Sequence, residues 1–255
     1  MFAEQRLLSA RHDTHHELSP PRGLAVATRA MGIALSALLV LPIAELSGTE
    51  QAEAGKRFQT ITQTISSTGQ IAIPAMGSDG PANPYPSTID VDAFARFKSA
   101  QITDVNLTLK GLGHTLAQNI DIMLVHEGAS TLAMADAGNG TDVADLTIIL
   151  DDEAGVNLPQ GAVLTSGSFQ PANYVGGDTF PAPAPAVPAT TALNAFDGLD
   201  PDGTWQLYVV DDANLNTGQI TGGWELEITA KVKKEKDKGK KKGGQGGGKK
   251  HGKKD

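Results

Sequence analysis

The sequence predicts an all-β protein, an antiparallel two-sheet β-sandwich, and three observations predict it. From Phe58 to Ala230 apolar residues recur with a period of two rather than 3.6. The alternating runs are rich in Val, Ile, Thr and Tyr, which suit half-buried strands. Clusters of Gly, Pro, Asn and Asp divide the runs, and none sustains ten residues of good helix formers. Short strands with one apolar face each bury those faces by stacking two sheets.

In chain order the expected strands are "FQTITQTIS" (58–66), "STIDVDAF" (87–94), "ITDVNLTLK" (102–110), "IDIMLV" (120–125), "DLTIIL" (145–150), "TWQLYVV" (204–210) and "WELEITA" (224–230). The breakers include "PAMGSDGPANPYP" (74–86), "KGLG" (110–113), "DAGNGTD" (136–142), "FDGLDPDG" (196–203) and "NLNTG" (214–218). "FPAPAPAVPA" (180–189) has Pro at every second or third place, which excludes a central strand. It is expected as an extended surface crossover. In "DPDGTWQLYVVDDANLNTGQITGGWELEIT" (200–229), Trp205, Leu207 and Val209 share one face, and Trp224, Leu226 and Ile228 share another. These two strands are expected to close the core as a pair, with "NLNTG" supplying the turn. A Trp pair stacking on sugar is the alternative, but each Trp continues its own apolar stripe, which favours core packing.

The flanks differ from this body. Arg22 and Arg29 precede the apolar run "GIALSALLVLPIA" (32–44), and "AEA" (52–54) follows. Basic residues, a short apolar segment and an A-x-A site have the form of a secretory signal. Residues 1–54 are therefore expected to be a leader, and the protein to be secreted or associated with the cell surface. The run is shorter than the roughly 20 residues of a membrane span. His12, His15 and His16 lie in this leader and are expected to have no structural consequence. At the other end, 231–255 carries twelve Lys and one apolar residue, Val232, and is expected to be a disordered basic tail. An anionic surface is its expected partner, with a plain solvated spacer as the alternative. No aromatic residue interleaves the Lys, so stacking on nucleic-acid bases is not supported.

The formal net charge of −8 conceals segregation: 58–230 holds three basic residues (Arg96, Lys98, Lys110) against twenty acidic ones, while the tail is +9. With no cysteine, disulfides, thiolate catalysis and zinc–thiolate sites are excluded. Outside the leader and tail the histidines are His114 and His126. No G-x-S-x-G occurs, and a nucleophile–base–acid set is not legible. No catalytic residue is assigned. With twenty carboxylates, a glycosidase-like pair is expected by chance and carries no information.

Metal binding is the stronger chemistry. Neither acidic stretch fits an EF-hand. With Gly203 at position six, Gly198 and Val209 stand at one and twelve; starting from Asp212, Thr217 and Gly223 stand at six and twelve. What remains is a site assembled from loop ends: Asp121, the pair Asp151 and Asp152, and the pair Asp211 and Asp212. Adjacent carboxylates repel unless a cation compensates, and Ca²⁺ prefers such hard oxygen donors. The competing view is that these Asp side chains accept turn N–H groups and face water.

A series of segments carries a resemblance. "PYPSTIDV" (84–91), "ITDVNLTLKGLGHT" (102–115), "IDIMLV" (120–125) and "MADAGNGTDVADLTIILDDEA" (134–154) occur in order. "SGSFQPANYVGGDTFPAPAP" (166–185) and "FDGLDPDGTWQLYVVDDANLNTGQITGGWELEIT" (196–229) follow. The series resembles the P domain, or P/Homo B domain, of subtilisin-like proprotein convertases, in its bacterial exported form. The resemblance implies a jelly-roll sandwich of galactose-binding-like topology. It also implies a role in the folding or stability of an exported protease, and a family-level association with serine-type endopeptidases. His114 matches the family's His, and its expected role is a hydrogen bond that fixes the loop to the next strand. There are departures. Asn119 stands where the family usually has a second acid before "IDIMLV", "HEG" (126–128) replaces a Pro-containing loop, and no protease domain precedes the segment. The expected function is a non-catalytic module that binds or stabilises a partner, with a cell-surface glycan as the alternative ligand.

Overall fold

The computed structural model describes residues 57–77 and 79–234. The expected leader and signal core, and the tail beyond Lys234, lie outside the described residues. Between Phe58 and Lys233 the regular structure is strand, apart from two 3₁₀ turns at Ala117–Asn119 and Leu193–Phe196. The strands are β1 (Phe58–Ser67), β2 (Ile71–Ile73), β3 (Gly80–Pro81), β4 (Ser87–Val91), β5 (Ala100–His114), β6 (Ile120–His126) and β7 (Ala129–Ala135). They continue as β8 (Val143–Leu150), β9 (Gly167–Phe169), β10 (Ala172–Asn173), β11 (Gly203–Asp211), β12 (Gly218–Ile220) and β13 (Trp224–Lys233). Each of the seven alternating runs falls on a strand.

The strands form two sheets. In the first, β13 and then β12 lie along one side of the long β5, β1 pairs with β13, β2 pairs with β12, and β8 takes the other side of β5. In the second, the order is β10, β7, β6, β11, with β3 and β4 both beyond β11. Most pairs are antiparallel as expected; the short contacts β8–β9 and β7–β10 are parallel, so both sheets are mixed. Leu107, Leu109 and Leu112 of β5 and Leu226 and Ile228 of β13 meet Ile122 and Leu124 of β6 and Leu207 of β11 in one continuous core, all fully buried. Each such side chain contributes about 1.5–3 kcal/mol on transfer from water.

The two Trp strands close this core, but not as a hairpin. β11 belongs to the second sheet and β13 to the first, so Trp205 and Trp224 come from facing sheets and residues 212–217 carry the chain across. Both rings are fully buried, and each indole N–H is satisfied: Trp205 by the Pro201 carbonyl at 3.1 Å, Trp224 by Ser87 Oγ at 2.9 Å. Trp205 also stacks on His126, ring centroids 4.0 Å apart.

The Pro-rich segment does more than cross the surface. It lies over the outer face of the second sheet, where Phe180 and Ala184 pack on Met123, Val125, Leu132, Ala135 and Tyr208. Tyr85 and Tyr208 donate their hydroxyls to the Pro181 and Pro183 carbonyls, at 3.0 and 3.5 Å, and the Leu132 N–H bonds the Thr190 carbonyl at 3.0 Å. Proline has no N–H to leave unsatisfied, so such a strap can lie flat on apolar surface. Burial beneath it pushes the Tyr85 hydroxyl up to about 12. This covering explains why every residue of β6 is buried although its sequence reads as alternating.

The last strand extends into the segment expected to be tail. β13 runs to Lys233, with Val232 fully buried opposite Gln59 and Ala100, so Lys231 to Lys233 belong to the sandwich.

Candidate metal centre

Alternation places the first component. Ile120, Ile122 and Leu124 of β6 point into the main core, so Asp121 points to the opposite, strap-covered face beside Met123. Asp121 is fully buried, and neither of its carboxyl oxygens has a side-chain hydrogen-bond partner; the Asp136 backbone N–H is the one donor that acts on it. Asp136 follows directly on β7 in a left-handed conformation, φ 53°. Asp178 lies in the loop between β10 and the strap. Each of the three offers a carboxylate oxygen to a group lying within 4.8 Å. Two oxygens on one Ca²⁺, each at about 2.4 Å, are separated by at most about 4.8 Å, so the three can share one ion.

The loop is held by its own hydrogen bonds. The Val175 N–H donates to Asp136 Oδ2 at 3.2 Å, and Asn173 Nδ2 donates to Asp178 Oδ2 at 2.8 Å. Asn173 Oδ1, buried and without a partner, adds a neutral oxygen beside Asp178. Asp212 lies close enough to act electrostatically, and its N–H bonds the Asn119 carbonyl at 3.0 Å. Burial, followed by the Asp178, Asp212 and Asp136 charges, raises Asp121 to about 8, against the lowering effect of the Asp136 backbone N–H. Asp136 and Asp212 are also raised, first by burial and then by Asp178. A buried carboxyl that faces other carboxylates and no cationic side chain is costly unless protonated or bound to a cation.

The five Asp residues singled out by sequence do not form one cluster. Asp121 belongs to this centre; Asp212, exposed and outside the trio, acts on it only through its charge. Asp211 continues the inward face of Trp205, Leu207 and Val209 and is fully buried in a pair with His114, Nε2 to Oδ2 at 3.2 Å. Its carboxyl is raised by burial, against the lowering effects of the Ala213 N–H and His114. The "DD" at 211–212 is thus split by strand alternation, one carboxylate to each side of the sheet. His114 Nδ1 also lies 2.9 Å from the Leu116 carbonyl and 3.2 Å from its N–H, the loop-fixing position expected of it.

Asp151 and Asp152 follow β8 in the other sheet. Asp151 accepts the Glu153 N–H at 2.7 Å. Asp152 accepts the N–H groups of Leu193 and Asn194 at 3.0 and 2.9 Å, holding the start of the 193–196 turn. With Asp104, Glu153 and Asp197, Asp152 lines a small cavity of about 30 Å³. Here the turn-capping view describes the geometry. Asp152→Ala is expected to cost about 1 kcal/mol by loss of this cap and to leave any calcium response unchanged, as a thermal melt with and without calcium will show.

Asp136 and Asp178 were not singled out by sequence. Each stands beside small turn-forming residues, in "ADAGNG" and "VGGDTF", the ordinary setting of an Asp that caps a turn. The signal that could find them is the apolar neighbourhood of Asp121, which demands partners from elsewhere in the chain.

Neither described histidine faces a hydroxyl nucleophile. His114 is engaged as above, and His126 sets Nε2 2.7 Å from the Asp200 carbonyl and Nδ1 3.2 Å from the Thr204 carbonyl. The chain matches no protein-family model, no curated protein and no solved structure.

Proposed function

We propose that the chain is a secreted, non-catalytic, P-domain-like jelly-roll module that binds or stabilises a protein partner and is itself stabilised by Ca²⁺. The observation that carries the metal assignment is Asp121, fully buried, with no side-chain partner on either oxygen and within reach of the Asp136 and Asp178 carboxylates. Asp121, Asp136 and Asp178 would hold the ion, with Asn173 Oδ1 as a neutral donor. An all-oxygen donor set suits Ca²⁺ rather than zinc or copper. When bound, the cation supplies positive charge that offsets the mutual repulsion of the carboxylates. The residues themselves do the structural work: Asp178 anchors the head of the strap, Asp121 the second sheet, and Asp136 the end of β7. Tying these three segments together fixes the strap over its apolar face, so the outer surface presented to a partner is ordered.

Several features support the P-domain reading. The resembling segments fall in order on β4, β5, β6, β7 to β8, the β9–β10 region with the strap, and β11 to β13. The engaged histidines support a non-catalytic role, and the expected partner is an exported subtilisin-like protease acting in trans. The glycan alternative loses the feature that suggested it, since both Trp rings are buried.

Calcium titration by calorimetry tests the centre. Binding of one Ca²⁺ per chain is expected, with release of about one proton near pH 7 as Asp121 ionises. At a hundredfold excess over Kd the gain is about 2.7 kcal/mol, a rise in melting midpoint of roughly 5–10 °C. Asp178→Asn is expected to abolish it. An unchanged midpoint for wild type in calcium and in chelator removes the metal from the proposal.

A further inference from the structure

We infer that two copies of this chain associate through the free edge of β1, pairing antiparallel about Gln63 to join their first sheets into one. β1 is ten residues long and pairs along its whole length with β13, without a bulge. Its other side has no strand neighbour among the described residues. The other terminal strands are short: three residues each for β2 and β9, two each for β3 and β10, and five for β4, which carries Asp90. The parts of β8 and β7 that β9 and β10 leave uncovered are interrupted, by register shifts against β5 in β8, which also carries Asp145, and by the Thr190 carbonyl on Leu132 in β7. A long, regular edge normally carries a Pro, a charge or a bulge that discourages pairing. β1, "FQTITQTISS", has none of these, and its Thr and Ile are strong strand formers.

The direction of the backbone groups can be read from the ladder. The Lys234 N–H bonds the Arg57 carbonyl at 2.8 Å, so odd-numbered residues of β1 exchange hydrogen bonds with β13. Thr60, Thr62, Thr64 and Ser66 therefore turn their N–H and C=O groups to the open side. Consistent with this, the Thr62 carbonyl is met by its neighbour's side chain, Gln63 Nε2 at 2.7 Å. That contact is a local substitute for the strand that would otherwise satisfy it.

The occupant follows from the sequence of the edge. Around Gln63 it reads nearly the same in both directions: Thr62 and Thr64, Ile61 and Ile65, Thr60 and Ser66. A two-fold axis through Gln63 sets each of these against its counterpart, the self-complementary arrangement that a symmetric dimer requires. The four outward residues of each copy then form about eight hydrogen bonds. Ile61 and Ile65, half-buried at the rim of the core, cover one another across the seam. Charge points the same way. The body is strongly acidic, yet β1 has no charged residue, and Glu225 beside it is paired with Lys110 and accepts the Ser66 hydroxyl, each at 2.6 Å.

The test uses the full exported chain, which has no native cysteine. Light scattering over about 1–100 µM is expected to give twice the monomer mass, with dissociation on dilution. Gln63→Cys meets its own copy on the axis, where facing Cα atoms are about 4.5 Å apart, a separation a disulfide spans. Mild oxidation is therefore expected to yield a covalent dimer, whereas Met76→Cys, exposed in the loop after β2, is not expected to cross-link. Thr62→Lys with Thr64→Lys sets like charges opposite one another and is expected to give a monomer with an unchanged circular dichroism spectrum. A wild type monomeric throughout, a dimer that survives the double Lys variant, or a dimer in which Gln63→Cys does not cross-link would each overturn the inference.

Discussion

In chelator, the melting midpoint of the protein should fall as pH is raised from about 5 to about 8.5, and calcium should cancel the fall. The cause is Asp121, whose carboxyl is raised to about 8 in the fold, first by burial and then by Asp178, Asp212 and Asp136. In the unfolded chain it titrates near 3.8. Between those values the folded state holds a proton that the unfolded state has released. Stability therefore decreases with rising pH across this window and is greatest at its acid end. Asp136 and Asp212, also raised, act in the same direction. Glu225, lowered first by the Lys110 and Ser66 hydrogen bonds, acts oppositely, but only at the acid end where glutamate titrates. The upper bound for Asp121 is on the order of 5 kcal/mol. Relaxation and water entry reduce it, and a drop of roughly 5–10 °C is the expected measurement. Asp121→Asn removes the titration. It should melt higher than wild type at pH 8 in chelator, lower than wild type with calcium, and show a flatter pH profile. A wild-type midpoint that rises with pH in chelator would contradict the assignment of Asp121.

Trp224→Ala should destabilise the sandwich by about 3–5 kcal/mol, the usual cost of truncating a buried aromatic ring. At this size it lowers the midpoint by roughly 10–15 °C. Trp224 is fully buried at the start of β13, the strand that joins β1 to β5, and its indole N–H is the partner of Ser87 Oγ on β4 in the facing sheet. Its removal opens a cavity between the sheets and leaves the buried Ser87 hydroxyl short of a partner. Trp224→Phe fills most of the volume without the N–H and should cost less than half as much. Equal losses for Ala and Phe would place the energy in the hydrogen bond rather than in packing.

Much of the fold was legible because it depends on local chemistry. "WELEITA" alternates, so Trp224, Leu226 and Ile228 had to share a face, and they do. The candidate centre was legible only in part. Asp121 was singled out only as one of several acids at strand and loop ends, and Asp211 and Asp212 looked equivalent. Alternation sends them to opposite sides of the sheet, one to His114 and one toward Asp121. Asp151 and Asp152 looked like the same kind of pair, but the backbone donors at 153, 193 and 194 use their oxygens.

By itself the sequence determined the strands, their apolar faces, the burial of both Trp rings and the acidic character of the body. Period-two alternation and turn residues act over a few positions, and hydrophobic burial reads them directly. Only the tertiary structure decided that Trp205 and Trp224 enter the core from different sheets, that the Pro-rich segment roofs β6, and that Val232 belongs to the core. It alone brought Asp136 and Asp178 to Asp121. Contacts between residues tens of positions apart depend on strand order and crossover path, and many orders bury the same apolar faces equally well.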